Sequence, residues 1–489
     1  MSIEPIGLFT LALALVCLFL DYGVMITALV VATVFGSAAA LFIGGANIPP
    51  AHLFMGAVTV VTLSRPRQCA ELIRALHPDR PGFWILCFVV YGLVTAYFYP
   101  RVMAGQTQIV PLGNSAFDDT GSTVPLGPVS SNFTQSIYMV ASLLVFLLVT
   151  SSAATPEGFR TAVIAATAYV TANVLFALLD LATYLTGTQA MLEFMRNARY
   201  ALHTEADVEG MKRIVGSFTE ASSFARSSLG SLGFIGTLWL CGRRPLLTGT
   251  LTVLTFVLAL LSTSSTALAV MPVMLVILYL TAIGRSGTSR RARASAVVAV
   301  TLPLISIAVV LGIAAHPVLS QVVMGYLDTI VLSKGSTDSG IERGSWNTSA
   351  LQNFLDSGGI GVGLGTVRTS SLAMALLGGL GVIGTLFYAV FMGLTLLRNP
   401  GPRGSFVTDA RLAARNACLG LTAGDLLIGS SVDQGLFFFA IAGIAAARPE
   451  RATRAAPPAA TRPETAAPPP LAARGRRPAP PLPGTRKTA

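Results

Sequence analysis

Apolar runs of about twenty residues recur along this chain as far as position 447, each closed by a short polar or Gly/Pro-containing break. A bilayer offers the backbone no hydrogen-bonding partners, so a segment that crosses it must be a helix or belong to a closed barrel. The runs are too long for barrel strands and lack the alternation of polar and apolar residues that a barrel wall requires. The fold class that follows is an all-α polytopic integral membrane protein with about 12 to 13 transmembrane helices. Only 11% of the 489 residues are charged, against roughly 25% in an ordinary soluble domain, which agrees with that class.

Basic segments orient the helices. Residues 64–81, SRPRQCAELIRALHPDRP, carry four arginines and by the positive-inside rule form a cytoplasmic loop. The same rule places Arg243 and Arg244, the cluster Arg285, Arg290, Arg291 and Arg293, and the loop 398–415 inside. The opening stretch MSIEPIGLFTLALALVCLFL has no basic n-region and no small-residue cleavage site, so it reads as a first membrane helix and not as a removable signal. Further helices are expected over 24–44, 52–63, 83–98, 133–150, 160–187, 224–241, 246–262, 267–284, 295–314, 372–397, 416–431 and 435–447. They leave outer loops at 99–131, 188–222 and 315–371, all within one membrane domain spanning 1–447. From Arg448 the chain turns to Ala, Pro, Arg and Thr with no pattern that buries a core, so 448–489 is expected to be a disordered cytoplasmic tail.

That tail also explains the net charge. It carries nine Lys or Arg against two Glu, seven of the chain's net +11, which fits a solubilising tail without function or, as the second reading, a tether to anionic lipid, and gives no reason to invoke nucleic acid. The five cysteines, at 17, 69, 87, 241 and 418, have no metal-like spacing and suggest no disulfide framework. Four scattered histidines, at 52, 77, 203 and 316, do not suggest a metal site.

Positive charge outside is what the topology rule disfavours, so the outer basic residues draw notice: Arg196, Arg199, Lys212 and Arg213 in one loop, Lys334, Arg343 and Arg368 in the other. In the first loop, AMLEFMRNARYALH aligns Met191, Leu192, Met195 and Leu202 on one face, as in a helix lying on the bilayer. In the second, RGSWNTSALQNFLDSGGIGVGLGTVR spaces Ala350, Leu351, Phe354 and Leu355 as a helix capped by Asn347 or Thr348 and ended by Gly358. Its open N-terminal N–H groups beside Arg343 would suit a phosphate. Two readings of the glycine run stand: close backbone approach to a ligand or to neighbouring helices, or a re-entry turn that only packs. Between these loops and the next helix, RIVGSFTEASSFARSS sets Glu220 and Arg226 at a helix mouth, where charge is costly unless it is used or partnered. Asp180 and Asp425 fall inside apolar runs and read as helix-to-helix hydrogen-bonding groups, with proton relay as the alternative.

Two large outer loops between late helices, RIVGSFTEASSFA before a helix, the hairpin STSSTALAV and the run WNTSALQNFLDSGGIGVGLG together resemble the O-antigen ligase/polymerase family of bacterial membrane glycosyltransferases. The resemblance covers most of 1–447. Ligases of that family carry His followed by Asn, Ser or Gln, then nine residues, then Gly-x-x-Gly. Asn347, Thr348, Gly358 and Gly361 keep the spacing with Asn in place of His, which turns the expectation towards the polymerase branch.

The resemblance implies an enzyme of the bacterial inner membrane with a periplasmic active site, acting on an undecaprenyl-diphosphate-linked glycan without metal or cofactor. It would join lipid-linked repeats into a surface polysaccharide, O-antigen or exopolysaccharide, beside a chain-length regulator and export machinery. By the same resemblance Arg213 and Arg343 would neutralise the diphosphate, with Arg226 and Arg368 as further candidates. Asn347, Thr348, Gly358 and Gly361 would contact substrate, and Glu220 would take the acceptor hydroxyl's proton in an inverting attack, with His203 and His316 in reserve. A ligase handing glycan to lipid A core or another acceptor is the near alternative. A transporter, the alternative of another class, would show two-fold repeats and charges distributed through the core.

Overall fold

The computed structural model describes residues 2–43, 46–117, 123–199, 207–208, 211–287, 293–328, 333–398 and 401–449. The expected tail from 450 onward, Asp118 and Asp119, Leu202, His203, Arg290, Arg291 and the Lys334 side chain lie outside the described residues.

The architecture is all-α, with only two- and three-residue β ladders at the helix connections. The chain opens with three short apolar helices, α1 (Pro5–Leu18), α2 (Tyr22–Ala32) and α3 (Pro50–Leu63). After them come α4 (Pro66–Ala75), α5 (Pro81–Val102), α6 (Ser130–Ser152), α7 (Pro156–Thr186), α8 (Ala221–Leu240), α9 (Pro245–Leu261) and α10 (Ser265–Arg285). The second half holds α11 (Arg293–Ala315), α12 (Pro317–Leu327), α13 (Asp338–Asp356), α14 (Leu372–Ala375), α15 (Gly381–Leu396), α16 (Phe406–Ile428) and α17 (Gly435–Ala446). Among the described residues, six segments are long and apolar enough to cross a membrane: α5, α6, α7, α10, α11 and the unit running from α14 through a π-helical turn, Leu376–Leu380, into α15. The protein is thus membrane-embedded, and large apolar side chains such as Val90, Ile164 and Val276 stand outward as a lipid-facing surface demands.

Two helices at the middle of the bundle miss that apolar standard for a physical reason. α8 is rich in Ser and Gly, and α16 carries Asp409, Arg411, Arg415 and Asp425, yet they form the buried centre of the bundle. In a membrane, helices attract one another through close packing and hydrogen bonds, because lipid is as apolar as leucine. Gly420 and Gly424, four residues apart on α16, supply the close approach: a Cβ at Gly420 would lie 2.8 Å from the Leu229 carbonyl oxygen of α8. Asn416 adds polar bonds, donating to Thr237 Oγ1 of α8 at 2.8 Å and to Thr281 Oγ1 of α10 at 3.0 Å. Glu220 stands at the N-cap position of α8 and Cys241 at its C-cap position, about 30 Å apart at 1.5 Å per residue, so α8 runs from one end of the bundle to the other.

Three local expectations are corrected. Residues 66–75 of the expected basic loop are helical, since Pro66 at the first turn and the amphipathic run CAELIRA suit a helix. The loop segment after α7 does not lie on the bilayer as an amphipathic helix: Gln189–Met195 is a 3₁₀ turn with Leu192 and Met195 buried, and Arg196 follows it into the protein towards Asp180. Asn347 and Thr348 do not cap a helix. α13 begins at Asp338, with Thr337 accepting from the Gly340 amide at 3.2 Å and an acid in the first turn, so the true start signal is Thr337-Asp338. Arg343 therefore lies within the helix and not ahead of an open N-terminus.

Candidate functional site

The approach to Glu220 is built on one buried carboxylate. Asp180, near the end of α7, has no solvent exposure. It accepts from Arg196 Nη2 at 2.7 Å and from the backbone amides of Val215 and Gly216 at 2.8 and 3.0 Å, and Lys212 Nζ lies 3.5 Å away. Arg196 also donates to the Gly216 carbonyl at 2.6 Å. Ser217 is fixed from the other side: its hydroxyl donates to Val34 O at 2.7 Å and its carbonyl accepts from the Ser37 amide at 3.0 Å. The segment 212–219 is therefore a pinned strut that delivers the chain to the start of α8, with Glu220 as its N-cap residue and Arg213 half-buried seven positions earlier. Asp180 is a hydrogen-bonding group, but it joins α7 to the loop that follows it and not to another helix as its place in an apolar run suggested.

Glu220 meets Arg343 across the two outer loops. Arg343 Nη2 lies 3.9 Å from Glu220 Oε2, with the two side chains 33% and 31% exposed. That is an open ion pair at the edge of the bundle, longer than a direct hydrogen bond, with donor and acceptor sites left over for a ligand. Ser222 donates to the other Glu220 oxygen and orients the carboxylate. One turn along α13 from Arg343 comes Trp346, and the Arg368 guanidinium sits over its ring, 5.2 Å from the centroid. Asn347 then accepts from the Ser370 amide at 2.9 Å, tying α13 to the segment that carries Arg368. Thr348 donates back to Gly344 O, at 3.0 Å, on the exposed face.

The glycine run is engaged by backbone. Gly358 (φ +65) ends α13, and Gly361 (φ +77) lies so near the π-helical turn that a Cβ would sit 2.7 Å from Gly379 O. The amides of Val362 and Gly363 donate to Gly378 O and Gly379 O at 2.9 and 2.8 Å. In this conformation the backbone at Gly361 lies close against a neighbouring helical turn, the approach that the lack of a side chain allows. From the opposite side, the loop after α5 forms a platform: Asn353 donates to Gln108 O at 2.6 Å, and the Arg368 amide to Val110 O at 2.9 Å. Thr107 donates to Asp356 at 2.6 Å, and this bond with that from Gln352 holds the Asp356 carboxyl below the usual carboxylate range.

Arg226 is turned away from this edge. Its Nε and Nη2 both bond Asp425 of α16, and Nη2 also donates to Gln434 O at 2.6 Å. Gln434 in turn donates to Asp425 at 2.9 Å and accepts from the Tyr388 hydroxyl. This forked pair ties α8 to α16 and commits Nε and Nη2 of Arg226 to the protein. Nearby, in the connection between α16 and α17, Asp433 accepts from Ser142 Oγ at 2.7 Å and from the Gly435 amide at 3.2 Å. Burial pushes its carboxyl up to about 6 against those two bonds.

The site thus gathers Glu220, Arg343, Trp346, Arg368 and Asn347, while Arg226 belongs to a helix-to-helix bond and exposed His316 caps the start of α12. Trp346 and the platform from the loop after α5 were not singled out in the sequence, although Trp346 lies between Arg343 and Asn347 and a tryptophan in a polar loop is itself a signal. Among the described residues no three His, Cys, Asp or Glu side chains gather as metal ligands. No protein-family model, curated protein or solved structure matches this chain.

Proposed function

We propose that this chain is a glycosyltransferase of the bacterial inner membrane that polymerises undecaprenyl-diphosphate-linked oligosaccharide repeats at the periplasmic face, in the manner of the O-antigen ligase/polymerase family it resembles. On this reading the membrane domain crosses about 12 to 13 times, the loops carrying Arg213 and Arg343 are periplasmic, and the tail is cytoplasmic. The observation that carries the proposal is the meeting of Glu220 and Arg343, at 3.9 Å, from two loops more than a hundred residues apart in sequence. A carboxylate beside an incompletely bonded guanidinium suits a reaction that must take a proton at one atom and receive negative charge at another. The acceptor sugar hydroxyl attacks the anomeric carbon and gives its proton to Glu220. The bond from that carbon to the diphosphate oxygen breaks, and the departing diphosphate is neutralised by Arg343 and Arg368, with Arg213 contributing from the pinned strut. Attack from the face opposite the leaving group inverts the centre.

The test is to incubate the purified protein with one lipid-linked repeat and separate the products by length. A ladder is expected, abolished by Arg343→Ala and by Glu220→Gln while the variants remain folded. Transfer that needs a separate lipid acceptor and gives no ladder would move the assignment to a ligase. Full turnover in both variants would end the assignment of these two side chains.

A further inference from the structure

At the other end of α8, about 30 Å from Glu220, a cavity of about 690 Å³ opens between α7, α8, α9 and the start of α16. Its rim is basic: Arg160 comes from the second turn of α7, and Arg243 and Arg244 from the tight turn between α8 and α9. Its wall is apolar, with Val163, Ile164, Leu238 and Leu247, and Ile164 and Leu247 are 52% and 42% exposed on the side that faces lipid.

The charge at this rim is not balanced. Arg243 donates through Nε and Nη2 to Asp409, at 2.8 and 2.6 Å, and Arg285 reaches the other oxygen of the same carboxylate at 2.9 Å. One carboxylate therefore serves two guanidinium groups. Arg160 and Arg244 are exposed and have no ion-pair partner among the described residues. Arg244 is held at the rim by a backbone at φ +47, beside Gly242 at φ +69. Two guanidinium groups lacking a counter-anion, set over an apolar slot that opens to the bilayer, match a molecule with an anionic head and hydrocarbon tails.

We propose that this cavity is a binding site for an anionic glycerophospholipid of the surrounding bilayer, its phosphate held by Arg160 and Arg244 and an acyl chain lying along Ile164 and Leu247. A soluble phosphate would satisfy the arginines and leave the apolar wall unused, so the lipid is the occupant the chemistry favours. The site is independent of the proposed transferase chemistry, which lies at the opposite end of α8.

The test uses the full chain in mild detergent, titrated with phosphatidylglycerol or phosphatidylcholine of the same acyl composition and read by native mass spectrometry. Phosphatidylglycerol is expected to bind at least about tenfold more tightly. The double variant R160Q/R244N, with Asn chosen because it tolerates positive φ, should bring the two lipids to equal affinity, and R160K/R244K should keep the preference. A168W, which fills the slot and leaves the charges in place, should also lower phosphatidylglycerol binding. Equal affinity of the two lipids for the wild type, an unchanged preference in R160Q/R244N, or competition by inorganic phosphate as effective as that by the lipid would each overturn the assignment.

Discussion

Replacing Asp180 by alanine should release the strut that carries the chain to Glu220. The carboxylate is fully buried and holds Arg196, Lys212 and the amides of Val215 and Gly216. Removing one partner of a buried ion pair costs about 3–5 kcal/mol, because the cations left behind stay desolvated. The two orphaned amides would add about 1–3 kcal/mol each if the segment stayed in place. These costs do not add, since the segment can open and rehydrate its groups, so the lower bound of about 3 kcal/mol is the useful figure. It corresponds to roughly hundredfold faster hydrogen exchange at Val215 and Gly216, the two amides that bond the carboxylate. Asp180→Asn should fall between, since it keeps one acceptor oxygen and loses the charge. Exchange read by mass spectrometry on peptides covering 211–219, with α16 peptides as the reference, gives the answer. If Asp180→Ala left exchange there within about threefold of wild type in a folded protein, the reasoning about the strut would be wrong.

Arg226→Ala should destabilise the protein by about 3–5 kcal/mol by leaving Asp425 unpaired between α8 and α16, and R226M/D425L should recover most of the loss in a thermal melt. A double variant no more stable than Arg226→Ala would show that the pair is not what joins these helices. Asp433 gives a pH signature. Its folded value, about 6, lies above the ordinary 3.8, so both states are protonated below 3.8, a penalty on folding develops between the two values, and it is complete above about 6. Asp433→Asn lacks that ionisation, so wild type should lose melting temperature relative to it as pH rises from 4 to 7; parallel profiles would refute the assignment.

The membrane class was readable because the bilayer imposes a length and a composition that no short-range detail can hide, as in α11. The central pair was harder. α8 and α16 are the least apolar of the long bundle helices, though α8 is the most enclosed of them, and their signal is small-residue spacing, Gly420 and Gly424, more than hydropathy. The start of α13 was misplaced by ten residues because Asn347 is a good cap in isolation, while Thr337-Asp338 sits beside a Gly/Ser-rich run that resembles a loop. Glu220 and Arg343 could each be picked out as a costly charge in an unusual place. Their meeting could not, because it depends on long-range docking of the loop after α5 against α13 and on the Asp180 strut, neither of which leaves a local pattern. Arg226 met the same criterion as Glu220, and only its partner on a distant helix separates the two roles.

The central claim is that guanidinium groups at the Glu220 edge hold a polyprenyl diphosphate. Equilibrium binding of undecaprenyl diphosphate to the full chain in nanodiscs tests it directly, comparing wild type with Arg343→Ala and Arg368→Ala. Loss of one charge-assisted contact, about 1.5–3 kcal/mol, predicts affinity reduced roughly ten- to a hundredfold in each variant. Affinity unchanged in both would contradict the account.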